Sequence, residues 1–181
     1  FWDRFVVRVA PAENNLPYRE ASRINIHRDT WGTNLYQQIN WWAPVSNVEE
    51  KNTMIFYPDY FDVPVKNTTS TWDLNIYLAN RKKGDFSYPS APQLIEDLPS
   101  NINKIPVTIK PGEILCFSGA HLHSSSKEKS ENTRISFEIR TICENDLNSS
   151  AQAPNVDCDL QWKFPKIFKK INDNSPLKIT S

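Results

Sequence analysis

The sequence predicts an all-β core with minor helical content, on three observations. The chain holds 13 Pro but only 4 Gly. Its β-branched and aromatic runs are separated by Pro, Asn, Asp and Ser clusters, which is the punctuation of many short strands. Alternation and β-propensity then place strands at 23–29, 33–42, 53–57, 104–109, 113–117 and 133–142. With 181 residues, 39 % hydrophobic and 12 % aromatic, a single globular domain over 1–181 is expected.

In chain order, the sequence begins at Phe1 with no Met, so a preceding segment is expected. In the strand Arg23-Ile24-Asn25-Ile26-His27-Arg28-Asp29, a period of two puts Ile24, Ile26 and Arg28 on one face and Asn25, His27 and Asp29 on the other. The strand 33–42 is rich in Trp and Gln and carries Asn40, Trp41 and Trp42. From 62 to 103 the pattern weakens into a polar insert with Arg81-Lys82-Lys83-Gly84, Pro89 and Pro92, too long for a hairpin loop. A lid or substrate-facing excursion is expected there. The charge run itself reads as a solvated loop, with an anionic substrate as the alternative. Lys110-Pro111-Gly112-Glu113 reads as a type II turn, Pro fixing φ at the second position and Gly supplying positive φ at the third, and is expected to close a hairpin. Cys116, between apolar strand residues, is expected to be a small buried hydrophobe. The tail from 145 mixes Asn, Ser and Pro, and its basic-apolar piece 162–171 either packs on the sheets or stays loose.

The 21 basic and 21 acidic side chains cancel, without a Lys/Arg stripe that would neutralise a phosphate backbone, so nucleic acid is not an expected partner. No apolar stretch approaches the roughly 20 residues needed to cross a bilayer. Cys116, Cys143 and Cys158 are odd in number, far apart and without a CxxC pair, which argues against a disulfide framework or a zinc knuckle. A cytoplasmic, reducing environment is the expectation.

His27 and Asp29, on one face of one strand, can take adjacent positions on a metal ion. A second imidazole from a distant strand would complete a facial triad, which leaves three positions open and suits an Fe(II) oxygenase. The remaining histidines are His121 and His123, two residues apart in Phe117-Ser118-Gly119-Ala120-His121-Leu122-His123-Ser124-Ser125, so either could face inward. Downstream, Thr133-Arg134-Ile135-Ser136-Phe137-Glu138-Ile139-Arg140 alternates, with Arg134 and Ser136 opposite Ile135, Phe137 and Ile139. An inward Arg needs an anion. Its planar fork beside a hydroxyl is a natural clamp for a carboxylate such as the distal one of 2-oxoglutarate.

These residues resemble the Fe(II)/2-oxoglutarate-dependent dioxygenases, specifically the branch related to phytanoyl-CoA dioxygenase. The resemblance runs from about Arg23 to Arg140 in the order of elements rather than in continuous identity. It rests on four landmarks: His27-Arg28-Asp29 as an HxD pair, the stretch 52–58 after a short acidic loop, Lys110-Pro111-Gly112-Glu113 leading to the distal His, and Arg134-Ile135-Ser136 as an RxS clamp. It implies a double-stranded β-helix, a cupin-like jelly roll. It also implies that His27, Asp29 and His123 bind Fe(II) and that Arg134 and Ser136 bind 2-oxoglutarate. Separately from the resemblance, Asn40, Trp41 and Trp42 are candidates to line the cofactor cavity, with the Asn40 amide reaching a 2-oxoglutarate oxygen, against the alternative that the Trp pair belongs to the core or sheet face. His123 is preferred to His121 because it lies eleven residues before Arg134 and because His-Ser-Ser is similar to the family's His-Gly-Ser.

The implied activity couples oxidative decarboxylation of 2-oxoglutarate, giving succinate and CO2, to O2-dependent hydroxylation of a small molecule. Related halogenases lack the carboxylate, so Asp29 points to hydroxylation. Two departures stand out: the family's N-terminal substrate region is short or absent, and 33–42 matches no substrate pattern. Two other functions compete: a metal-dependent cupin that does not use 2-oxoglutarate, and a non-catalytic ligand-binding jelly roll.

Overall fold

The computed structural model describes residues 1–12, 24–126, 128, 130–149 and 151–179. The strands among them are β1 (Val6–Ala10), β2 (Ile39–Pro44), β3 (Met54–Phe56), β4 (Ile105–Pro106), β5 (Leu115–Ser118), β6 (His123–Ser125) and β7 (Arg134–Thr141). They form two antiparallel sheets ordered β1-β7-β2-β5 and β4-β3-β6. The connections hold three α-helices: α1 (Thr30–Thr33), α2 (Leu74–Lys82) and α3 (Glu144–Asn148). None of the described helices is long and apolar enough to cross a membrane.

β7, with the clearest alternation in the sequence, lies inside the larger sheet between β1 and β2. Its register pairs Ser136 with Arg8, Glu138 with Trp42 and Arg140 with Asn40, so these side chains share one face with Arg134. Arg134 and Ser136 are buried, whereas Val7, Val9 and Ile135 on the other face are 59, 50 and 37 % exposed. The β1–β7 half of this sheet is therefore inverted relative to an ordinary half-buried one, with charge inside and aliphatic side chains outside. Propensity alone explains the strands. It does not explain the buried Arg134 and Ser136 at the head of a polar row that continues with the partly buried Glu138 and Arg140, since a buried polar group disfavours a core unless it is paired or binds something.

The two sheets meet at a cluster of Trp42 and Phe117 from one with Met54 and Val107 from the other. A second cluster joins Trp31, Tyr57 and Leu122 to Cys158 and Leu160 of the tail, and a third joins Leu35 and Ile142 to Phe168 and Leu177. The tail is thus a wall of the core rather than a loose end.

Several expectations are corrected by backbone chemistry. Arg23 lies outside the described residues, and 24–29 is not a strand but one bridge, His27 to His123, because the chain enters α1 at Asp29 (φ −65°, ψ −28°). The next strand starts only at Ile39, since Asn34 ends α1 in the left-handed region at φ 54° and its side-chain Nδ2 donates to the carbonyls of Leu160 and Trp162. The turn at 110–113 has the expected form, with Gly112 at φ 96° and the Glu113 amide donating to Lys110 O at 3.0 Å. It closes no hairpin, however: β4 pairs with β3 and β5 with β2, so the turn carries the chain between sheets. Cys116 is exposed, because alternation along β5 turns Leu115 and Phe117 inward and Cys116 out. Within the insert, α2 is capped by Asp73, whose carboxylate accepts from the amides of Asn75 and Ile76, and ends in Arg81, Lys82 and a Gly84 at φ 76°.

One buried interaction ties these parts together. The Arg28 guanidinium donates to Asp157 Oδ2 at 3.1 Å and to the carbonyls of Ala120 (2.6 Å), Tyr60 (2.7 Å) and Val63 (3.0 Å). Asp157 also accepts from Trp31 Nε1 at 2.7 Å and from the Val65 amide at 3.1 Å. Both side chains are almost fully buried, at 2 and 4 % exposure, so removing one partner leaves a desolvated charge. Asp157→Ala should lower unfolding free energy by about 3–5 kcal/mol in urea titrations; a loss below about 1 kcal/mol would mean that the pair is not what holds tail to core.

Candidate metal centre

The three groups that converge here arrive by different routes. His27 and His123 are directly opposed neighbours that exchange both backbone hydrogen bonds, N to O at 2.9 and 3.0 Å, which fixes their side chains side by side. Their rings lie 4.3 Å apart between centroids. Asp29 caps α1 without its side chain bonding the helix, so its carboxylate is free to face the two imidazoles. Oδ1 lies 3.4 Å from His27 Nε2, and Oδ2 lies 3.8 Å from His123 Nε2. One donor atom from each of the three falls within 4.8 Å of the others.

The tautomers follow from the partners. His27 Nδ1 sits 2.8 Å from Asn25 O and His123 Nδ1 sits 2.9 Å from His121 O. A carbonyl only accepts, so each Nδ1 carries the proton and each Nε2 turns a lone pair toward the carboxylate. Backbone anchoring of the far nitrogen is the usual way a protein orients metal-binding imidazoles. Burial, joined by repulsion from His27, lowers His123 to about 4 against the pull of Asp29, so the ring is neutral at physiological pH and its Nε2 lone pair is available. Burial by itself would raise the Asp29 carboxyl. The neighbouring His27, His123 and Arg140 outweigh it and hold the group well below the usual carboxylate range.

The carboxylate is held from behind by a polar relay that the sequence did not disclose. Thr33 Oγ1 donates to Gln38 Oε1 at 3.2 Å, Gln38 Nε2 donates to Asn40 Oδ1 at 2.9 Å, and Asn40 Nδ2 donates to Asp29 Oδ2. Gln38 is fully buried. A Cβ at Gly119 would come within 2.7 Å of Gln38 Nε2, so only glycine leaves room for the relay.

The sequence-predicted residues divide as follows. His27, Asp29 and His123 are brought together, and Asn40 and Arg134 line the same pocket between the sheets. His121 stays outside: its half-buried ring packs on Phe61 and Phe56, with centroids 4.5 and 5.6 Å away, while its carbonyl orients His123. Arg134 Nε and Ser136 Oγ are buried without a hydrogen-bond partner, and among the described residues no carboxylate pairs with Arg134. The guanidinium lies 5.7 Å over the Trp42 ring. Burial, then repulsion from Arg8, lowers Arg134 to about 10, so it is still a cation at neutral pH. A buried, charged and unpaired fork beside an unpaired hydroxyl is a receptor for an oxyanion. Arg8, Glu138 and Arg140 also line this pocket and were missed. The signal was present, because the alternation that singles out Arg134 and Ser136 continues to Glu138 and Arg140.

No family model and no curated protein matches the chain. Solved structures with some likeness include the apo form of the non-heme monooxygenase ThoJ, with 14 % identity and a TM-score of 0.49 over 76 % of this chain and 44 % of that one. EvdO2 from Micromonospora carbonacea var. aurantiaca, complexed with 2-oxoglutarate, gives 10 % identity and 0.49 over 76 and 50 %. The non-heme alpha ketoglutarate dependent carbocyclase SnoK from nogalamycin biosynthesis gives 13 % and 0.49 over 96 and 57 %. The chain spans about half the length of these structures. At such identities they carry no residue role across, and the site rests on its own geometry.

The relay gives a test of that geometry. Asn40→Ala should weaken Fe(II) or Co(II) binding by roughly 10–100-fold, the usual effect of removing a group that orients a ligand, while leaving the unfolding midpoint of the metal-free protein within a few degrees. Unchanged metal affinity would show that Asp29 needs no support from behind.

Proposed function

We propose that the chain is a non-haem Fe(II)- and 2-oxoglutarate-dependent oxygenase of double-stranded β-helix fold that hydroxylates a small molecule with O2. The observation that carries this reading is the pairing of two receptors in one pocket. A two-His, one-carboxylate group with fixed tautomers stands in the same lined space as a buried cation that lacks an anion. The donor set fits iron: neutral imidazole nitrogens and a carboxylate, with coordination positions left for co-substrate and oxygen. The order of landmarks along the chain further supports the branch related to phytanoyl-CoA dioxygenase. Three cysteines without a disulfide suit the cytoplasm, and a tail built into the core suits one domain over 1–181.

In this reading His27 Nε2, His123 Nε2 and an Asp29 oxygen would hold the iron. Bound iron supplies the activation of O2 that is coupled to oxidative decarboxylation of the oxo acid. The remaining work belongs to the chain. Arg134 and Ser136 bind the distal carboxylate of 2-oxoglutarate through charge-assisted bonds and thereby set its reach toward the triad. Phe56 and Phe117 pack on the His123 ring, with centroids 5.8 and 5.4 Å away, and keep that side of the pocket dry and the ring fixed. Asn40, with Gln38 behind it, holds the carboxylate ligand in one rotamer.

Succinate release from 2-oxoglutarate should disappear in His27→Ala and Asp29→Ala. Arg134→Ala should still bind metal but need roughly 10–100-fold more 2-oxoglutarate for half-maximal turnover, the loss expected for hydrogen bonds to a charged group. Undiminished turnover in either triad variant would refute the metal assignment, and an unshifted 2-oxoglutarate requirement in Arg134→Ala would refute the clamp.

A further inference from the structure

Outside the inner pocket, His27, Asp29 and Arg140 also open onto two neighbouring pockets walled by α2. Arg4 and Arg81 line both outer pockets and not the inner one, whereas Arg134 lines the inner pocket and neither outer one. The triad thus stands between two cationic regions that share Arg140 but are distinguished by Arg134 on the inner side and by Arg4 and Arg81 on the outer side.

The charges on the outer side do not balance. The carboxylates lining these pockets are already engaged: Asp3 with Arg140 at 2.5 Å, Glu138 with Arg8 at 2.5 Å, and Asp29 in the triad. Arg28 is engaged with Asp157. Arg4, Arg81, Lys166 and Lys169 therefore face this space with no carboxylate partner among the described residues. Arg81 is held rather than free. Its guanidinium lies 5.2 Å over the Tyr77 ring and 4.3 Å over Phe86, and its Nε is buried without a hydrogen-bond partner. Stacking removes the rotamer freedom that makes most surface arginines weak ligands and leaves the donor edge unspent. Trp72 and Leu78 add an apolar wall beside it.

The geometry points to a substrate that carries an anionic oxyacid group, a carboxylate or a phosphate, bound by Arg81 with Arg4 so that an adjoining apolar carbon lies over the triad. This inference rests on the oxygenase reading above and names the substrate class for the same site. The Arg81-Lys82-Lys83 run, which in sequence reads as solvated charge, supplies the anchor because α2 ends beside the metal centre. The cluster also steers anions toward the site at low ionic strength.

The test uses the full chain loaded with Co(II), saturated with 2-oxoglutarate and titrated calorimetrically with benzoate, phenyl phosphate and neutral benzyl alcohol. At least one anion should bind roughly tenfold or more tighter than the alcohol, and the preferred anion tells carboxylate from phosphate. Arg81→Gln should weaken that anion about tenfold and leave the alcohol unchanged. Arg4→Gln, at an exposed position, should weaken it in the same direction without affecting folding. Added salt should weaken anion binding. Equal binding of anions and alcohol, or anion affinity unchanged in both variants, overturns the inference. The cobalt absorption reports 2-oxoglutarate separately, so a spectrum insensitive to the oxo acid would count against the oxygenase reading and not against the anion site.

Discussion

The buried ion pair of Arg28 with Asp157 is the constraint on which the metal centre depends. Arg28 is the residue between the two candidate ligands His27 and Asp29, so the orientation of its backbone decides where both side chains go. Its guanidinium is gripped by a tail carboxylate and by carbonyls from the segment after β3 and the turn before β6. Three distant stretches of chain are thereby fixed around one charge. Such a pair adds little stability over a well-packed apolar replacement. Its value here is placement: with every donor used, the Arg28 side chain has one arrangement, and the chain leaves the His27 bridge directly into α1. A hydrophobic residue at 28 would fill the space without specifying that turn.

The inverted β1–β7 half of the larger sheet is the second element of the design. Turning Arg134, Ser136, Glu138 and Arg140 toward the other sheet sacrifices apolar burial, and Val7, Val9 and Ile135 are left at the surface. Glu138 and Arg140 find protein partners, in Arg8 and Asp3. Arg134 and Ser136 do not, and an unsatisfied buried donor costs about 1–3 kcal/mol. A ligand carboxylate that satisfies both would recover that energy on binding, which in the proposed reading would give 2-oxoglutarate a specific place without a large contact area.

Much of this was legible in the sequence where the side-chain pattern is local. The alternation of 133–142 announced β7, and Lys110-Pro111-Gly112-Glu113 announced the turn with its positive φ at Gly112. His27, Asp29 and the pair His121/His123 announced the metal donors. What was not legible depended on tertiary pairing. β1 has Val7 and Val9 outward and Arg8 inward, so it reads against the usual rule until β7 is beside it. α2 has a cap at Asp73 and a Gly84 stop but buries no residue, so no apolar stripe marks it as a helix. His27 and Asp29 were expected to meet through strand alternation and instead meet across a helix start. Asp157 and Gln38 carry no chemical signature, since their importance lies in what they touch.

The central claim is that the triad and Arg134 form one receptor for iron and 2-oxoglutarate, and the most direct measurement is an anaerobic titration of the Fe(II)-loaded protein with 2-oxoglutarate in the visible range. Appearance of a weak charge-transfer band that saturates at one equivalent per chain is the result this account predicts, because the oxo acid anchored at Arg134 then reaches the metal through its other end. If iron binds at His27, Asp29 and His123 but no band forms at any 2-oxoglutarate concentration, the two receptors are not linked and the chain uses its metal for other chemistry.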